Sequence, residues 1–295
     1  MYFYTLSQPP MLSILIPTFN YNIVPLVKEI FEQVSKCNIV FEILVYDDGS
    51  NSKLNIKNQS IKLIENCFFK ELPHNIGRSA IRNLLGTDAK YKTLLFIDAG
   101  TFPKEKDFIK NYILIHNKEV IIGGMTYGEK PLEKKYKLRW IYTKKREATK
   151  GLHSSNFLIK KSLFQLNLFD ETLKKYGCED VLFFNNLLKK NIEIIKIDNP
   201  VIHEADDDWN TFIKKTDYAI ENLIQLIDEG KLSISNYKIS KLYMQLSQLG
   251  LDKFVSLLFK WLKPLLLKNF NSNHPSIFLF DFYRLSYFCF IKNKK

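Results

Sequence analysis

The stretch LSILIPTFN at 12–20 is an apolar run that ends in polar residues, and FEILVYDDGS at 41–50 repeats the pattern. Each run has the length and composition of one buried strand. Similar runs occur in TLLFI at 93–97, NFLIK at 156–160 and the segment 192–197. Segments with helical spacing separate most of these runs. This alternation predicts an α/β protein with a mostly parallel central sheet.

The same reading of periodicity assigns the remaining elements. It predicts helices over 23–36, 76–85, 108–116, 179–190 and 208–229, and further strands over 61–64 and 119–125. The segment 128–150 interrupts the alternation and is predicted to be a loop with a short helix. From 230 the chain has helical periodicity with many Leu and Phe residues. We therefore expect one domain over 11–229 and a basic, aromatic-rich helical extension over 230–295.

Charge is concentrated in two segments of a chain whose net charge is +12. Residues 128–150 hold nine Lys/Arg against three acidic residues, and residues 230–295 hold eleven against two. Nucleic acid is one partner that such charge suits, but no recognised nucleic-acid module accompanies it. We expect no nucleic-acid partner. The Phe, Leu and Trp residues of the extension, with Lys between them, are equally compatible with a cap on the core and with contact to an anionic inner membrane.

Cysteine usage and the N-terminal sequence favour a cytoplasmic setting. The four cysteines have neither CxxC nor CxxxC spacing, so no zinc knuckle or disulfide framework is predicted. The first ten residues lack a basic leader and do not resemble a signal peptide, and Met11 could equally be the natural start. No stretch reaches about 18 apolar residues without a charge. We expect a cytoplasmic protein that could also lie peripherally on the inner membrane.

Polar residues follow the predicted strands at the point where each strand ends. Asp47 and Asp48 follow one strand, and Asp98 follows another. In an open parallel sheet, ligands bind beyond the carboxyl ends of the strands. The acids suit a site that holds a diphosphate, directly or through a cation, and deprotonates a hydroxyl. Neither GxGxxG nor GxxxxGK[ST] is present, so the usual dinucleotide and P-loop phosphate cradles are absent from the sequence.

Five motifs in order resemble one enzyme family. They are SILIPTFN, EILVYDDGS, HNIGRSAIRN, LLFIDAG, and SNFLIKKSLF followed by FDE and GCED. The set resembles the bacterial inverting glycosyltransferases of family two, which have the GT-A fold, from about residue 12 to about 225. The GCED segment also resembles the GxED segment of animal β-galactosyltransferases. The resemblance implies a GT-A-type nucleotide-sugar-binding fold and a sugar transfer from a nucleoside diphosphate to an acceptor hydroxyl with inversion.

The resemblance also implies roles for individual residues. Asp180, with Glu179 beside it, corresponds to the acidic pair that supplies the general base. Asp98 corresponds to the first acid of the DxD motif, and His203 resembles a late histidine that coordinates the metal in several relatives. Helix-start residues that close over the nucleotide are Asn75, Gly77, Arg82 and Asn83. The residues that correspond to the nucleobase and ribose contacts are Pro17, Thr18, Phe19, Asn20, Asp47 and Asp48.

One position departs from the family pattern. The second acid of the DxD motif is here Gly100, and Mg²⁺ or Mn²⁺ depends on oxygen ligands. Three interpretations stay open. Asp98, His203 and the donor phosphates could form a weaker site, which we favour. The acidic run Glu204, Asp206, Asp207 and Asp208 could lend a ligand, or Lys and Arg side chains could bear the charge without a metal.

The function expected from the sequence is that of an inverting hexosyl- or related transferase. The donor is expected to be a nucleotide sugar, with a UDP-sugar favoured, and the acceptor a glycan or a lipid-linked glycan. Bacterial surface polysaccharide or lipopolysaccharide synthesis is the setting that the resemblance suggests. The alternative is a catalytically degenerate glycan- or nucleotide-binding relative, with Gly100 as the mark of lost chemistry. A basic nucleic-acid binder is a weaker third hypothesis.

Overall fold

The computed structural model describes residues 10–148 and 152–294. The first nine residues, the end of the basic segment 128–150 and Lys295 lie outside the described residues. Within the described part of the chain, no helix is both long enough and apolar enough to cross a membrane.

The strands and helices alternate through the first two-thirds of the chain. The strands are Met11–Thr18 (β1), Val40–Asp47 (β2), Cys67–Glu71 (β3), Thr93–Ile97 (β4), Thr101–Pro103 (β5), Val120–Ile122 (β6), Met125–Tyr127 (β7), Asn156–Lys160 (β8), Ile194–Lys196 (β9) and Val201–His203 (β10). The helices are Val24–Val34 (α1), Leu54–Asn58 (α2), Arg78–Asp88 (α3), Phe108–Leu114 (α4), Lys134–Tyr142 (α5), Lys161–Gln165 (α6), Glu179–Lys189 (α7), Trp209–Asp228 (α8), Lys238–Gln248 (α9), Asp252–Phe270 (α10) and Ile277–Lys294 (α11).

The larger sheet has the strand order β3-β2-β1-β4-β8-β6-β9. Its strands β3, β2, β1 and β4 are parallel, whereas β8 runs antiparallel to both β4 and β6. A smaller sheet has the order β5-β10-β7. The expected α/β fold with a mostly parallel sheet and C-terminal helices is confirmed.

Two of the strand predictions were wrong in their bounds. The segment predicted as a strand at 61–64 is mostly a 3₁₀ helix, Gln59–Leu63, and the strand that pairs with β2 begins at Cys67. In β3 the alternating residues Cys67 and Phe69 are buried, as expected for a strand with one face in the core.

The single strand expected over 119–125 is two strands in different sheets. Gly123 and Gly124 separate β6 from β7. Gly124 has a φ of +86°, which glycine adopts readily. A Cβ on Gly123 would lie 2.3 Å from Oδ1 of Asn156, the atom that accepts a hydrogen bond from the Gly123 backbone N–H. The chain therefore changes sheet at a position where only glycine fits.

The chain divides into two compact units. The first comprises the described residues of Met1–Thr126, Leu152–Glu171 and Asn186–His203, and it contains both sheets apart from the last residue of β7. Its apolar core lies between the larger sheet and the helices α1 and α4. Fully buried members include Ile14, Ile43, Val27, Ile30 and Phe108.

The second unit comprises the described residues of Tyr127–Gly151, Thr172–Asn185 and Glu204–Lys295. Its core is rich in aromatic residues from α8, α10 and α11, such as Phe212, Phe259 and Phe280. Asp208 caps α8 by accepting hydrogen bonds from the backbone N–H groups of Asn210 and Thr211. The boundary between 229 and 230 that the sequence suggested stays a prediction.

Gly49, in the turn after β2, is held against another backbone segment. It has a φ of +65°, and a Cβ there would lie 2.3 Å from the carbonyl carbon of His74 and 2.6 Å from the amide nitrogen of Asn75. Gly230 has a similar φ of +70° but open space around it. Substituting alanine at each position therefore distinguishes the cost of backbone strain from the cost of steric overlap.

We expect Gly49→Ala to lower the free energy of unfolding by about 3 kcal/mol or more, since strain and overpacking both act there. Gly230→Ala, the matched control, should cost about 1 kcal/mol because only the backbone conformation opposes it. Urea unfolding of both variants measures the difference. Equal costs would contradict the close approach of the two turns.

Asp217 on α8 is a buried acid in the second unit. Burial raises the pKa of its carboxyl group to about 6, although the Tyr283 hydroxyl donates hydrogen bonds to both of its oxygens. Because this folded-state pKa lies above the unfolded value, the group favours the folded state most at acidic pH. That contribution is lost as the pH rises through about 6.

Asp217→Asn should therefore raise the melting temperature at a pH of about 8 and leave it nearly unchanged at a pH of about 4. The asparagine oxygen can still accept from Tyr283, so the contact survives the change. Thermal melts across this range measure the effect, with the exposed Asp107→Asn as control. A melting temperature of Asp217→Asn that falls at alkaline pH would contradict the assignment.

Candidate active site

The ends of three parallel strands meet at one edge of the larger sheet. Thr18 at the end of β1 pairs with Asp47 at the end of β2, and β4 lies on the other side of β1. Asp48 and Asp98 are the residues that follow β2 and β4. The parallel ladder thus brings to one edge the two acids that lie fifty positions apart in the sequence.

Asp48 connects this edge to the start of α3. Its side chain is buried and accepts hydrogen bonds from the backbone N–H groups of Ile76, at 2.7 Å, and Gly77, at 3.0 Å. Its own N–H donates to the carbonyl of Thr18 at 2.9 Å. Gly77 has a φ of +95° and directly precedes α3. Thr18, Asp48 and Gly77, which were predicted to contact the nucleotide, are therefore connected by hydrogen bonds. Asn75 directly precedes Ile76 in the same segment.

Asp47 and Asn20 hold the neighbouring loops. Both carboxylate oxygens of Asp47 accept hydrogen bonds from the Ser50 hydroxyl, and one also accepts from the Ser50 N–H. The Ser52 hydroxyl donates to Oδ1 of Asn20 at 2.7 Å. Phe19, beside Asn20, exposes 55% of its surface. Pro17 lies near the end of β1, and the loop that follows β1 exposes the ring of Phe19. Asp47 and Asn20 bind Ser50 and Ser52 of the neighbouring loop.

Asp98 lies between two arginines. Oδ1 pairs with the buried guanidinium of Arg82, and Oδ2 lies 3.8 Å from a guanidinium nitrogen of Arg78. Arg82 also donates to the carbonyl of Arg78 and lies over the ring of Phe169. About a quarter of the Asp98 side chain is exposed, whereas Arg78 is nearly half exposed. This cluster places two guanidinium groups around one carboxylate.

Such surroundings do not fit a divalent cation. The two oxygens of Asp98 face guanidinium groups, which compete for the same lone pairs and repel a positive ion. Gly100 supplies no side-chain ligand. Within 10–148 and 152–294, no group of three or more His, Cys, Asp or Glu side chains could hold a metal ion.

His203, the second predicted metal ligand, is connected to the Asp98 segment through the smaller sheet. It ends β10 and pairs in register with Thr101 of β5. The N–H and the hydroxyl of Thr101 both donate to the carbonyl of Asp98. The small sheet therefore brings His203 to the segment that carries Asp98. A cation held by these two residues stays a prediction.

Two residues of the acidic run considered as substitute ligands have structural partners in the second unit. Asp208 caps α8, and Asp207 accepts both of its hydrogen bonds from Nζ of Lys215, at 2.6 and 2.8 Å. Burial raises the pKa of the Asp206 carboxyl group. The interactions of Asp207 and Asp208 explain why acids occupy these two positions without any metal.

Asp180 and Glu179 begin α7 in the second unit. Glu179 is buried and Asp180 is half-buried, with Oδ1 of Asp180 accepting a hydrogen bond from the N–H of Val181. The preceding residues Gly177 and Cys178 have φ values of +101° and +69°. Two successive residues in the left-handed region make a sharp turn, so the backbone direction at Asp180 is tightly defined.

Asn222 of α8 stabilises that turn by hydrogen bonds. Its buried amide nitrogen donates to the carbonyls of Lys175, at 3.0 Å, and Gly177, at 2.8 Å. The Cys178 thiol contacts the carbonyl of Ala219, and burial raises the pKa of that thiol. Cys178 is thus a packing residue.

The sequence did not indicate Arg78 or Asn222. Arg78 occupies a position between motif residues, and its basic charge alone does not distinguish it from other surface residues. Asn222 lies on an amphipathic helix far along the chain from the turn that it binds. An amide among apolar positions of a helix is a signal that could have indicated a buried polar partner.

Comparison with known proteins gives the family. The profile described as "Glycosyl transferase family 2" matches residues 13–173. No curated protein matches the chain in sequence. Among solved structures, the mannosyltransferase PcManGT of Pyrobaculum calidifontis, in complex with GDP-Man and Mn²⁺, is 14% identical with a TM-score of 0.52, over 76% of this chain and 65% of that chain.

S. aureus TarS also resembles the chain. Its fragment 1–349 is 18% identical with a TM-score of 0.47, over 97% of this chain and 92% of the fragment. The chain spans 40% of the longer TarS structure. At these identities the structural likeness concerns the fold alone. The profile, however, covers more than half of the sequence, so the chain belongs to glycosyl transferase family 2.

Proposed function

We propose that the chain transfers a sugar from a nucleoside diphosphate to an acceptor hydroxyl with inversion at the anomeric carbon. The observation that carries the proposal is the assembly of Asp48, α3, Arg82 and Asp98 at the carboxyl edge of a family 2 sheet. This edge is where α/β sheets bind nucleotides. The loop at Pro17, Thr18, Phe19 and Asn20 supports a nucleobase contact, because Phe19 exposes its ring there.

Asp180 is proposed as the general base. It accepts the proton of the acceptor hydroxyl while that oxygen attacks the anomeric carbon. The bond between this carbon and the phosphate oxygen breaks, and the nucleoside diphosphate leaves with its electron pair. A single displacement of this kind inverts the configuration. The likeness of GCED to the galactosyltransferase GxED segment and the tightly defined turn before α7 support this role, with Glu179 beside it.

The leaving diphosphate needs positive charge, and we assign it to the arginines around Asp98. Arg82 is held by Asp98 and by the carbonyl of Arg78, so its position is fixed before the donor binds. Arg78 is more exposed and can contact a phosphate oxygen with little rearrangement. Guanidinium groups suit phosphates because their donors match two oxygens at once. This assignment replaces the metal that Gly100 makes harder to bind.

The setting proposed is bacterial surface polysaccharide or lipopolysaccharide synthesis in the cytoplasm, with a glycan or lipid-linked acceptor. A UDP-sugar is the favoured donor, although the PcManGT structure contains GDP-Man. The rival function is that of a degenerate binding relative, which Gly100 favours because it removes a usual ligand.

A donor screen by released nucleoside diphosphate tests the reaction without knowledge of the acceptor. We expect hydrolysis of at least one UDP- or GDP-sugar by the wild type and a loss of roughly 100-fold or more in Asp180→Asn, which keeps the shape but cannot take the proton. Binding of the nucleoside diphosphate should be unchanged in that variant. Asp107→Asn serves as the control. Binding without turnover, unaffected by Asp180→Asn, would identify the degenerate relative instead.

Calorimetric titration with UDP and GDP tests the arginine assignment. Arg78→Ala should weaken nucleoside diphosphate binding by about tenfold, or 1.4 kcal/mol, and Arg78→Lys by less. Arg146→Ala is the matched control, because Arg146 has similar exposure and pairs with Asp281. Wild-type affinity should change little between chelator and Mn²⁺. Affinity that requires Mn²⁺ and survives Arg78→Ala would instead favour the cation at Asp98 and His203.

A further inference from the structure

Helix α10 exposes a row of large apolar side chains. Phe254, Leu257, Trp261 and Leu265 follow one another at spacings of three and four residues, which places them on one face of a helix. Each is exposed, and Trp261 has 74% of its surface in solvent. Single exposed apolar residues are common on proteins, but an aligned row marks an interaction surface. We call these four residues the α10 stripe.

The opposite face of α10 already has its packing partner. Phe259, Leu266 and Phe270 are buried, and the rings of Phe259 and Phe270 contact Tyr283 of α11. A surface helix that packs on one side normally shows polar residues on the other. Helix α10 is apolar on both faces, so the α10 stripe is not needed to build the core of its unit.

The exposed charged residues of α10 itself are all basic. Lys253, Lys260 and Lys268 are exposed on the same helix. The acidic residue of α10, Asp252, is buried and accepts a hydrogen bond from the amide of Asn293. Lysines can place their charge at the level of lipid headgroups while their stems lie along apolar surface. An aromatic stripe flanked by cations is the pattern of a helix that lies in a membrane interface.

We infer that α10 docks the protein on an anionic lipid surface, with the α10 stripe inserted among the acyl chains and the lysines among the headgroups. A second copy of the chain fits the stripe less well, since a symmetric contact would bring the lysines of both copies together. A nucleic acid would use the lysines but leave Trp261 and Phe254 without a role. This inference does not depend on the proposed reaction.

Vesicle binding by the full chain tests the inference. The probes are vesicles of phosphatidylcholine alone and vesicles in which about a third is phosphatidylglycerol. We expect the wild type to sediment with the anionic vesicles and to show a blue shift of tryptophan emission. A Phe254→Ser/Trp261→Ser variant should lose at least about tenfold in vesicle affinity, because two large apolar groups no longer leave water. Trp261→Phe should keep the affinity.

Two controls separate insertion from general effects. Leu63→Ser changes a residue that is 88% exposed in the first unit and should bind vesicles like the wild type. Melting temperatures of the stripe variants should equal that of the wild type, since the changed side chains are in solvent. The inference is overturned if the wild type ignores anionic vesicles, or if the serine variant binds them as tightly. It is also overturned if the stripe changes abolish self-association or RNA binding instead.

Discussion

Two carboxylates fix helix α3 at the edge of the sheet, and the proposed donor site depends on this. Asp48 binds the backbone N–H groups just before the helix, and Asp98 binds Arg82 one turn inside it. Both acids follow parallel strands, so the ladder sets the distance between them. A buried carboxylate that satisfies backbone donors is costly to remove, because its partners are then left without acceptors. The position of α3 at this edge is therefore set by contacts within the fold itself.

Much of this could be predicted from the sequence, because the strands have strong apolar runs and their ends carry unusual polar residues. The sheet, α3, α7 and α8 were predicted within a few residues. The strand β3 was misplaced, since Ile61 and Ile64 are as apolar as Cys67 and Phe69, and only the pairing with β2 decides between them. The partners of Asp48 and Asp98 were not predictable, because hydrogen bonds between segments leave no periodic trace in sequence. The proposed base at Asp180 rests on a family motif, which periodicity could not have given.

The charges around Asp98 bear on the absence of the second acid of the DxD motif. Where a second carboxylate would add negative charge, this chain has Gly100, and Arg78 and Arg82 stand beside the remaining acid. The absence of this acid and the presence of two guanidinium groups both make the local potential more positive. A diphosphate is attracted by that potential whether the counter-charge is a metal or a guanidinium group. Gly100 therefore does not indicate by itself that the chemistry has been lost.

The reversal of strand direction at β8 decides which loops adjoin the edge of the sheet that carries Asp48 and Asp98. Because β8 runs antiparallel to β4, the residues that precede it lie beside the end of β4, and Ser155 accepts a hydrogen bond from the N–H of Asp98. Lys160, at the far end of β8, pairs with Thr93 at the opposite edge. Sequence changes just ahead of β8, where His153 lies, therefore fall beside the segment that carries Asp98. Changes after β8 fall at the opposite edge of the sheet, so the two ends of this strand can vary independently.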